Sequence, residues 1–272
     1  MKLRAVLSDL DGTLIDFKGN YKTETPSLIH DLQKQGVQFS LATGKAYFGE
    51  VARIIRELDL SPLHIVSGGG MIINWKTGEA PWYREISRPS TLYVENYLRS
   101  QQLIFSLETK EHAYMMDKKG NSAYTNDIEI QSYTSDTVPS GVLKILVHGD
   151  ANKLSEAQIQ KYIKNIRDNC KDIESVQFSV QGNFGLDVTS EASTKHTAVL
   201  EYVKIMGMMT SETVAIGDGY NDYPLFTACG YRIAMGNAPR ELKEIADLVV
   251  STVENGGMVE ALAHVQSLCK KP

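Results

Sequence analysis

Short apolar runs that stop at polar turns alternate with segments of helical spacing in the first third of the chain. Residues 5–7 form one such run, and alternating apolar positions over 37–41 form a second. Between them, apolar residues at 28, 29 and 32 share one face of a predicted helix that ends at Gly36. Strands that alternate with helices in this way predict crossover connections and a parallel sheet.

The same alternation returns in the last third of the chain. A predicted helix over 196–206 precedes an apolar strand over 213–216, which stops at Gly217. Because both ends of the chain show this pattern, residues 1–82 and 188–272 are predicted to form one α/β domain. Its fold is expected to be a doubly wound parallel sheet with helices on both faces.

The middle of the chain, residues 83–187, has a different pattern. Two helical segments, 90–99 and 154–169, lie among several short strands. Gln181-Gly182-Asn183 is typical of a tight hairpin between two of these strands. The pattern predicts an α+β domain that is inserted into the parallel α/β domain.

Composition narrows the class of protein. The chain has 272 residues, of which 42% are hydrophobic and 22% charged, as in soluble globular proteins. Its net charge of −5 argues against nucleic acid as a partner. Three cysteines without a CxxC pair argue against a disulfide framework and a zinc site. No apolar stretch has the length of a signal peptide or membrane span, so we expect a cytoplasmic protein without a membrane partner.

Three predicted strands end directly before acidic or hydroxyl side chains. These side chains are Asp9 and Asp11, then Thr43, and finally Asp218, Asn221 and Asp222. Ligands of doubly wound sheets bind beyond the carboxyl ends of the strands, so these side chains are expected to converge on one crevice. Carboxylates gathered there would repel each other unless a divalent cation lay among them, and hard oxygen ligands suit Mg²⁺.

Four segments together resemble the ordered motifs of haloacid dehalogenase-type phosphatases. They are Asp9-Leu10-Asp11-Gly12-Thr13-Leu14, Ala42-Thr43-Gly44, Lys195 at the start of a helix, and Gly217-Asp218-Gly219-Tyr220-Asn221-Asp222. Each has an ordinary structural explanation when taken alone, such as an Asp-Gly turn or a helix cap. Their joint occurrence in the family's order favours a catalytic role for the whole set over these structural explanations. The insert over 83–187 resembles the C2-type cap of the Cof-like branch, beside a Rossmann-like core.

The resemblance implies a hydrolase acting on phosphoric monoesters, with Asp9 as a nucleophile that forms an aspartyl-phosphate. It implies that Asp11 protonates the leaving oxygen and then activates water. The Asp9 and Asp218 carboxylates and the Asp11 backbone carbonyl would hold Mg²⁺. Further roles are implied for a set of residues that would bind the substrate phosphate or support the site. These are Thr43, Gly44, Lys195 and Asn221 for the phosphate, and Asp222 in support.

Lys45 stands where the Cof-like branch usually has arginine, so a planar fork is replaced by a point charge. Altered substrate contacts or pairing are expected there, rather than loss of the reaction. Nearby, Ser67-Gly68-Gly69-Gly70 is compatible with a loop beside the substrate or with a plain flexible turn.

The expected partner is a small phosphorylated metabolite. Sugar phosphates come first, and phosphorylated cofactors such as pyridoxal phosphate or flavin mononucleotide follow. Two other functions stay open: a phosphomutase of the same superfamily, and a noncatalytic sensor of phosphorylated metabolites. The oligomeric state is left open as well.

Overall fold

A computed structural model gives the structure of residues 2–116, 130–180 and 182–269. The chain divides into two compact units. The first unit contains Met1–Lys45, Glu50–Trp82 and Thr194–Pro272, and the second contains Ala46–Gly49 and Tyr83–Ser193.

The elements are numbered in chain order. The strands are β1 (Ala5–Ser8), β2 (Gln38–Leu41), β3 (Leu63–Val66), β4 (Met71–Asn74), β5 (Trp82–Tyr83), β6 (Phe105–Glu108), β7 (Ala113–Met115), β8 (Ile130–Ser132), β9 (Lys144–Val147), β10 (Ile173–Val180), β11 (Asn183–Ser190), β12 (Thr213–Gly217), β13 (Tyr231–Ala234) and β14 (Leu248–Val249). The α-helices are α1 (Thr25–Lys34), α2 (Gly49–Glu57), α3 (Arg88–Ser100), α4 (Gly149–Asn152), α5 (Glu156–Asn169), α6 (Lys195–Ile205), α7 (Tyr223–Ala228), α8 (Arg240–Glu244) and α9 (Gly257–Cys269). Within the ranges that the structure covers, no helix combines the length and apolar character that a membrane span needs.

The first unit is built on a parallel sheet with the strand order β14-β13-β12-β1-β2. Strand β1, which lies between β12 and β2, is buried along its whole length, as expected for a parallel strand covered on both faces. Ala198, Val199 and Tyr202 of helix α6 belong to the same buried apolar cluster as Ala5 and Leu7 of this strand. The predicted parallel α/β fold is confirmed.

A hairpin beside this sheet carries the segment Ser67–Gly69. Strand β3 pairs antiparallel with β4, and a parallel bridge between Ala42 and Ile65 joins β3 to the residue that follows β2. The short turn between β3 and β4 leaves no room for a crossover helix, so the two strands form a hairpin. Its position at the end of β2 brings this turn close to Thr43.

The second unit contains a sheet with the strand order β10-β11-β9-β6-β7-β8, antiparallel except for the β7–β8 pair. Helices α3 and α5 pack against it through a shared apolar core that includes Val94, Leu107 and Ile159. Gly182 has a φ of 81°, which suits the turn between β10 and β11, and Gln181 lies outside the described residues. Because β11 continues to Ser190, the unit extends past the boundary expected at 187/188.

Candidate active site

Three carboxylates meet at the carboxyl edge of the parallel sheet in the first unit. Asp9 directly follows β1, and its backbone N–H donates to the Ile216 carbonyl of β12 over 2.9 Å. Asp218 directly follows β12, and Asp222 lies one short turn further on. One carboxylate oxygen from each of the three aspartates lies within 4.8 Å of the others. Adjacent parallel strands end at the same edge, which explains why these residues converge.

Lys195 supplies a positive charge to this group. It is the first residue of α6, which begins at the N-cap Thr194, and its side chain is only 3% exposed. Its ammonium donates to Asp9 Oδ1 and to Asp222 Oδ1, each over 2.6 Å. Burial lowers the pKa of Lys195, but the two carboxylates raise it more strongly, and the net pKa lies above the usual value. Lys195 is therefore held as a cation.

Asp222 acts as a brace within the site. Its side chain is fully buried, and its Oδ2 accepts the backbone N–H groups of Asp218 and Gly219, each over 2.9 Å. Its other oxygen accepts the Lys195 ammonium. Every one of these bonds is to a charged or backbone donor, so Asp222 fixes both the lysine and the turn that carries Asp218.

Asp218 is oriented by two residues that the sequence analysis did not assign. Thr13 Oγ1 donates to Asp218 Oδ1 over 2.8 Å, and Asn237 Nδ2 donates to Asp218 Oδ2 over the same distance. Asn237 also donates to the Gly12 carbonyl over 3.0 Å. Asn237 follows β13, whose end is a fourth strand end at this edge, and that position was a signal in the sequence.

Gly12 permits the close approach between the first and fourth motifs. Its φ is 74°, and a Cβ there would lie 2.3 Å from Asp218 Oδ2. A left-handed backbone and a clash of this size both favour glycine. The Asp-Gly turn that the sequence suggested therefore also makes room for Asp218.

The acidic group has more negative than positive charge. Burial raises the pKa of Asp9 well above its usual value, and the charges of Asp222 and Asp218 raise it further, against the lowering effect of Lys195. Burial and then the charge of Asp222 raise the pKa of Asp218 to about 6. Charged carboxylates are thus disfavoured here while Lys195 is the cation among them. A divalent cation would correct the imbalance.

Asp11 has a different environment from Asp9. Its side chain is 32% exposed, and its Oδ1 accepts the Lys45 ammonium over 2.7 Å. The same ammonium donates to Glu50 Oε2 over 2.6 Å. The Lys45 ammonium therefore bridges two carboxylates.

The remaining predicted residues lie around this edge of the sheet. Thr43 is buried, and its Oγ1 accepts the backbone N–H of Lys45 over 3.1 Å. A Cβ on Gly44 would meet no atom within 4 Å, so Gly44 leaves open space beside Thr43. Asn221 is exposed, in the short turn before α7. Their roles toward phosphate stay predictions.

The turn Ser67–Gly69 braces the site from a second side. The Ser67 N–H donates to the Lys45 carbonyl over 2.8 Å, and the Gly68 N–H donates to the Thr43 carbonyl over 3.1 Å. Gly69 packs closely against the residue that precedes Lys195, because a Cβ on Gly69 would lie 2.3 Å from the Thr194 carbonyl carbon. This segment is therefore a packed connection between the second and third motifs, rather than a plain flexible turn.

We expect Gly69→Ala to lower activity far more than Gly68→Ala. Both glycines have positive φ, 99° and 70°, so each alanine carries backbone strain on the order of 1–2 kcal/mol. Only at Gly69 would the methyl group also push Thr194, and with it Lys195, away from its place. Turnover and thermal unfolding of both variants provide the measurement. Equal losses of turnover in the two variants would contradict this function of Gly69.

Comparison with known proteins gives the class to which this site belongs. Residues 6–262 match the family model described as haloacid dehalogenase-like hydrolase. The chain belongs to this family, which confirms the predicted family and the predicted enzyme class, a hydrolase.

Curated relatives and solved structures match along nearly the whole chain. The chain is 24% identical over 295 residues to the phosphatase YwpJ of Bacillus subtilis. This match covers 97% of the chain and 100% of YwpJ. The chain is 24% identical over 291 residues to the 5-amino-6-(5-phospho-D-ribitylamino)uracil phosphatase YwtE of Bacillus subtilis, covering 94% of this chain and 96% of that protein.

The solved structures support the fold. A haloacid dehalogenase-like hydrolase from Bacteroides thetaiotaomicron superposes with a TM-score of 0.83 at 23% identity, covering 97% of this chain and 100% of that chain. A sugar phosphatase of haloacid dehalogenase subclass IIB superposes with a TM-score of 0.80 at 18% identity, covering 97% of this chain and 99% of that chain. These likenesses agree with the predicted α/β core and α+β insert.

Proposed function

We propose that the protein is a Mg²⁺-dependent phosphatase that hydrolyses a small phosphorylated metabolite through an aspartyl-phosphate on Asp9. The observation that carries the proposal is the buried group in which Lys195 bridges Asp9 and Asp222 beside Asp218. This group provides Asp9 as a carboxylate nucleophile and Lys195 as a cation for phosphate oxygens. Its carboxylates also outnumber its positive charge, which favours binding of a divalent cation. The phosphatase names of its relatives support the same reaction class.

The reaction would proceed in two displacements. A carboxylate oxygen of Asp9 forms a bond to phosphorus as the bond to the leaving oxygen breaks, and Asp11 gives that oxygen a proton. In the second step, water gives a proton to Asp11 and attacks phosphorus. The bond to Asp9 then breaks, and inorganic phosphate leaves. Asp11 ends as it began, protonated and ready for the next substrate.

The other residues would hold the phosphate during both steps. Lys195 is assigned to a phosphate oxygen because its ammonium already touches the nucleophile, at Asp9 Oδ1. Thr43, Gly44 and Asn221 are proposed as further phosphate contacts. Asp222 would keep Lys195 in place. In this scheme the side chains that neutralise the charge of the phosphoryl group are already in place before substrate binds. Such preorganised electrostatic stabilisation is the main contribution of a protein to phosphoryl transfer.

The residues present fit Mg²⁺. Asp9 and Asp218 offer hard carboxylate oxygens in a group that lacks positive charge, and the Asp11 backbone carbonyl is the proposed third ligand. Asp222 is less suited to be a ligand, because both of its oxygens already accept strong donors. When bound, the cation would supply electrostatic stabilisation of the charge on the transferring phosphoryl group.

We expect Mg²⁺ to raise the thermal unfolding midpoint more at about pH 7.5 than at about pH 5. The pKa of folded Asp218, at about 6, lies above the usual value of 3.8 for an aspartate carboxyl group. The metal-free fold is therefore favoured by protonation of this group, and it loses that stability as pH rises from about 4 through about 6. Protons compete with the cation in that window. An increment that is equal at the two pH values, or that survives in Asp218→Asn, would contradict this metal site.

The substrate is proposed to be a phosphorylated sugar or a sugar-like chain, with phosphorylated cofactors second. The printed substrate of YwtE carries its phosphate on a ribityl chain, and the subclass IIB structural neighbour is a sugar phosphatase. The proposed catalytic residues of this chain all lie in the first unit. We therefore assign the choice among substrates to the inserted segment 83–187, as a cap to the core of 1–82 and 188–272.

The proposal is tested by release of inorganic phosphate from a panel of such compounds, with Mg²⁺ and with a chelator. Mg²⁺-dependent release without any bisphosphate activator would support a phosphatase. Release that requires a bisphosphate would favour the phosphomutase, and binding without turnover would favour the sensor.

A further inference from the structure

A single ammonium group joins two carboxylates directly after the second motif, Ala42-Thr43-Gly44. Lys45 Nζ lies 2.7 Å from Asp11 Oδ1 and 2.6 Å from Glu50 Oε2. The three residues belong to the first unit, and Glu50 lies in the first turn of α2. Arg53 extends the series, since its guanidinium lies 3.7 Å from the other oxygen of Glu50. A chain of charges therefore runs from α2 to the side chain of Asp11.

This contact differs from the Lys195 pairs in its burial. The side chains of Lys45 and Asp11 are 45% and 32% exposed, whereas those of Lys195 and Asp9 are 3% and 8% exposed. Ion pairs with this degree of exposure contribute little to stability because water screens them and side-chain entropy opposes them. We therefore expect the Lys45–Asp11 pair to orient the Asp11 carboxylate rather than to stabilise the fold.

Orientation matters for Asp11 because of its proposed role. A group that transfers protons must stay within hydrogen-bond reach of the reacting oxygen, and a partly exposed carboxylate can rotate away from it. Lys45 itself has a flexible four-carbon stem, which would make it a poor anchor if it were alone. Glu50 holds the ammonium from its other side. The bridge thus fixes both the lysine and the carboxylate.

We propose that Lys45 is a positioning residue that holds the Asp11 carboxyl group for proton transfer to the leaving oxygen and from the attacking water. The inference rests on the proposed function and adds a residue to it. Lys45 forms no bond to phosphorus and transfers no proton in this scheme. It acts through Asp11, so its effect depends on how much a given substrate needs a proton on its leaving oxygen.

Two aryl phosphates of similar shape separate this role from others. Phenol has a pKa of about 10 and leaves poorly as an anion, whereas 4-nitrophenolate leaves well without a proton. The value of kcat/KM covers the steps through departure of the leaving group. With Mg²⁺ present, Lys45→Met is expected to lower kcat/KM for phenyl phosphate on the order of tenfold more than for 4-nitrophenyl phosphate.

Four further variants test whether the effect of Lys45→Met acts through Asp11 and depends on the positive charge. Asp11→Asn should show the same preference for the better leaving group with a larger effect, and adding Lys45→Met to it should change the ratio little further. Lys45→Arg keeps a cation and should restore most of the ratio. Lys164→Met removes a lysine from an exposed 2.6 Å ion pair in the second unit and should leave the ratio unchanged. Thermal unfolding of each variant shows that the fold is retained.

Three results would overturn the inference. Equal losses on both substrates would mean that Lys45 contacts the substrate phosphate directly. Unchanged kcat/KM for both substrates in Lys45→Met would mean that the ion pair has no part in catalysis, and the proposed function would stand without it. If wild-type protein with Mg²⁺ released no phosphate from these compounds or from any compound of the metabolite panel, the proposed function itself would fail, and the inference with it.

Discussion

Asp9→Asn is expected to abolish phosphate release while making the metal-free protein more stable. Asparagine keeps the shape of the side chain but removes the nucleophilic oxygen charge, so turnover should fall by at least about four orders of magnitude. The loss should appear with every substrate, whatever its leaving group. Phosphate release over long incubations of concentrated protein provides the measurement.

The gain in stability follows from the surroundings of Asp9. Burial and the neighbouring charges of Asp222 and Asp218 raise its pKa, so the folded protein pays a free-energy cost for keeping this group ionised near neutral pH. Asparagine removes that cost, and Lys195 keeps its bond to Asp222. The unfolding midpoint in chelator should therefore rise. A lower midpoint would contradict the electrostatic account. Asp31→Asn, in an exposed pair with Lys34, is the control and should change neither quantity.

Asp222→Asn is expected to have the opposite effect on stability. Asp222 is fully buried and accepts the Lys195 ammonium and the backbone N–H groups of Asp218 and Gly219. An asparagine amide would place its own N–H₂ against one of these donors and would leave buried donors unsatisfied. Breaking a buried pair in this way costs about 3 kcal/mol or more.

Activity should be lost in Asp222→Asn as well, because Lys195 and the turn of Asp218 lose their brace. Urea unfolding at constant pH measures the change in the free energy of unfolding. Two substitutions of the same kind, at two carboxylates that share one lysine, should thus move stability in opposite directions. An Asp222→Asn protein as stable as the wild type would show that these hydrogen bonds do not support the fold.

The sequence predicted the parallel core because its signals are local. The apolar run at residues 5–7 and the periodic helix near Ile29 can each be recognised from a few consecutive residues. The meeting of Asp9 with Asp218 followed from a general rule, since the ends of adjacent parallel strands lie at one edge. Lys195 had no such rule, and only the resemblance to a family placed it near the site.

The supporting contacts were beyond local signals. Asn237 and Gly12 are 225 residues apart, and nothing in either segment points to the other. The packing of Gly69 on Thr194 depends on a hairpin turn that the pattern left open between two explanations. The Lys45–Glu50 bridge spans a short segment, but the choice of Asp11 as its second partner is a tertiary contact. Such contacts depend on how elements pack, which periodicity does not encode.

The central claim is that Asp9 carries the phosphoryl group during turnover. Its most direct test is to quench the wild-type protein with acid during turnover with Mg²⁺ and to map the phosphoryl group by peptide mass spectrometry. We predict an acid-stable, hydroxylamine-sensitive phosphoryl group on Asp9, which disappears in Asp9→Asn and when Mg²⁺ is chelated. Steady phosphate release by Asp9→Asn, or a phosphoryl group found on another residue during turnover, would contradict the account.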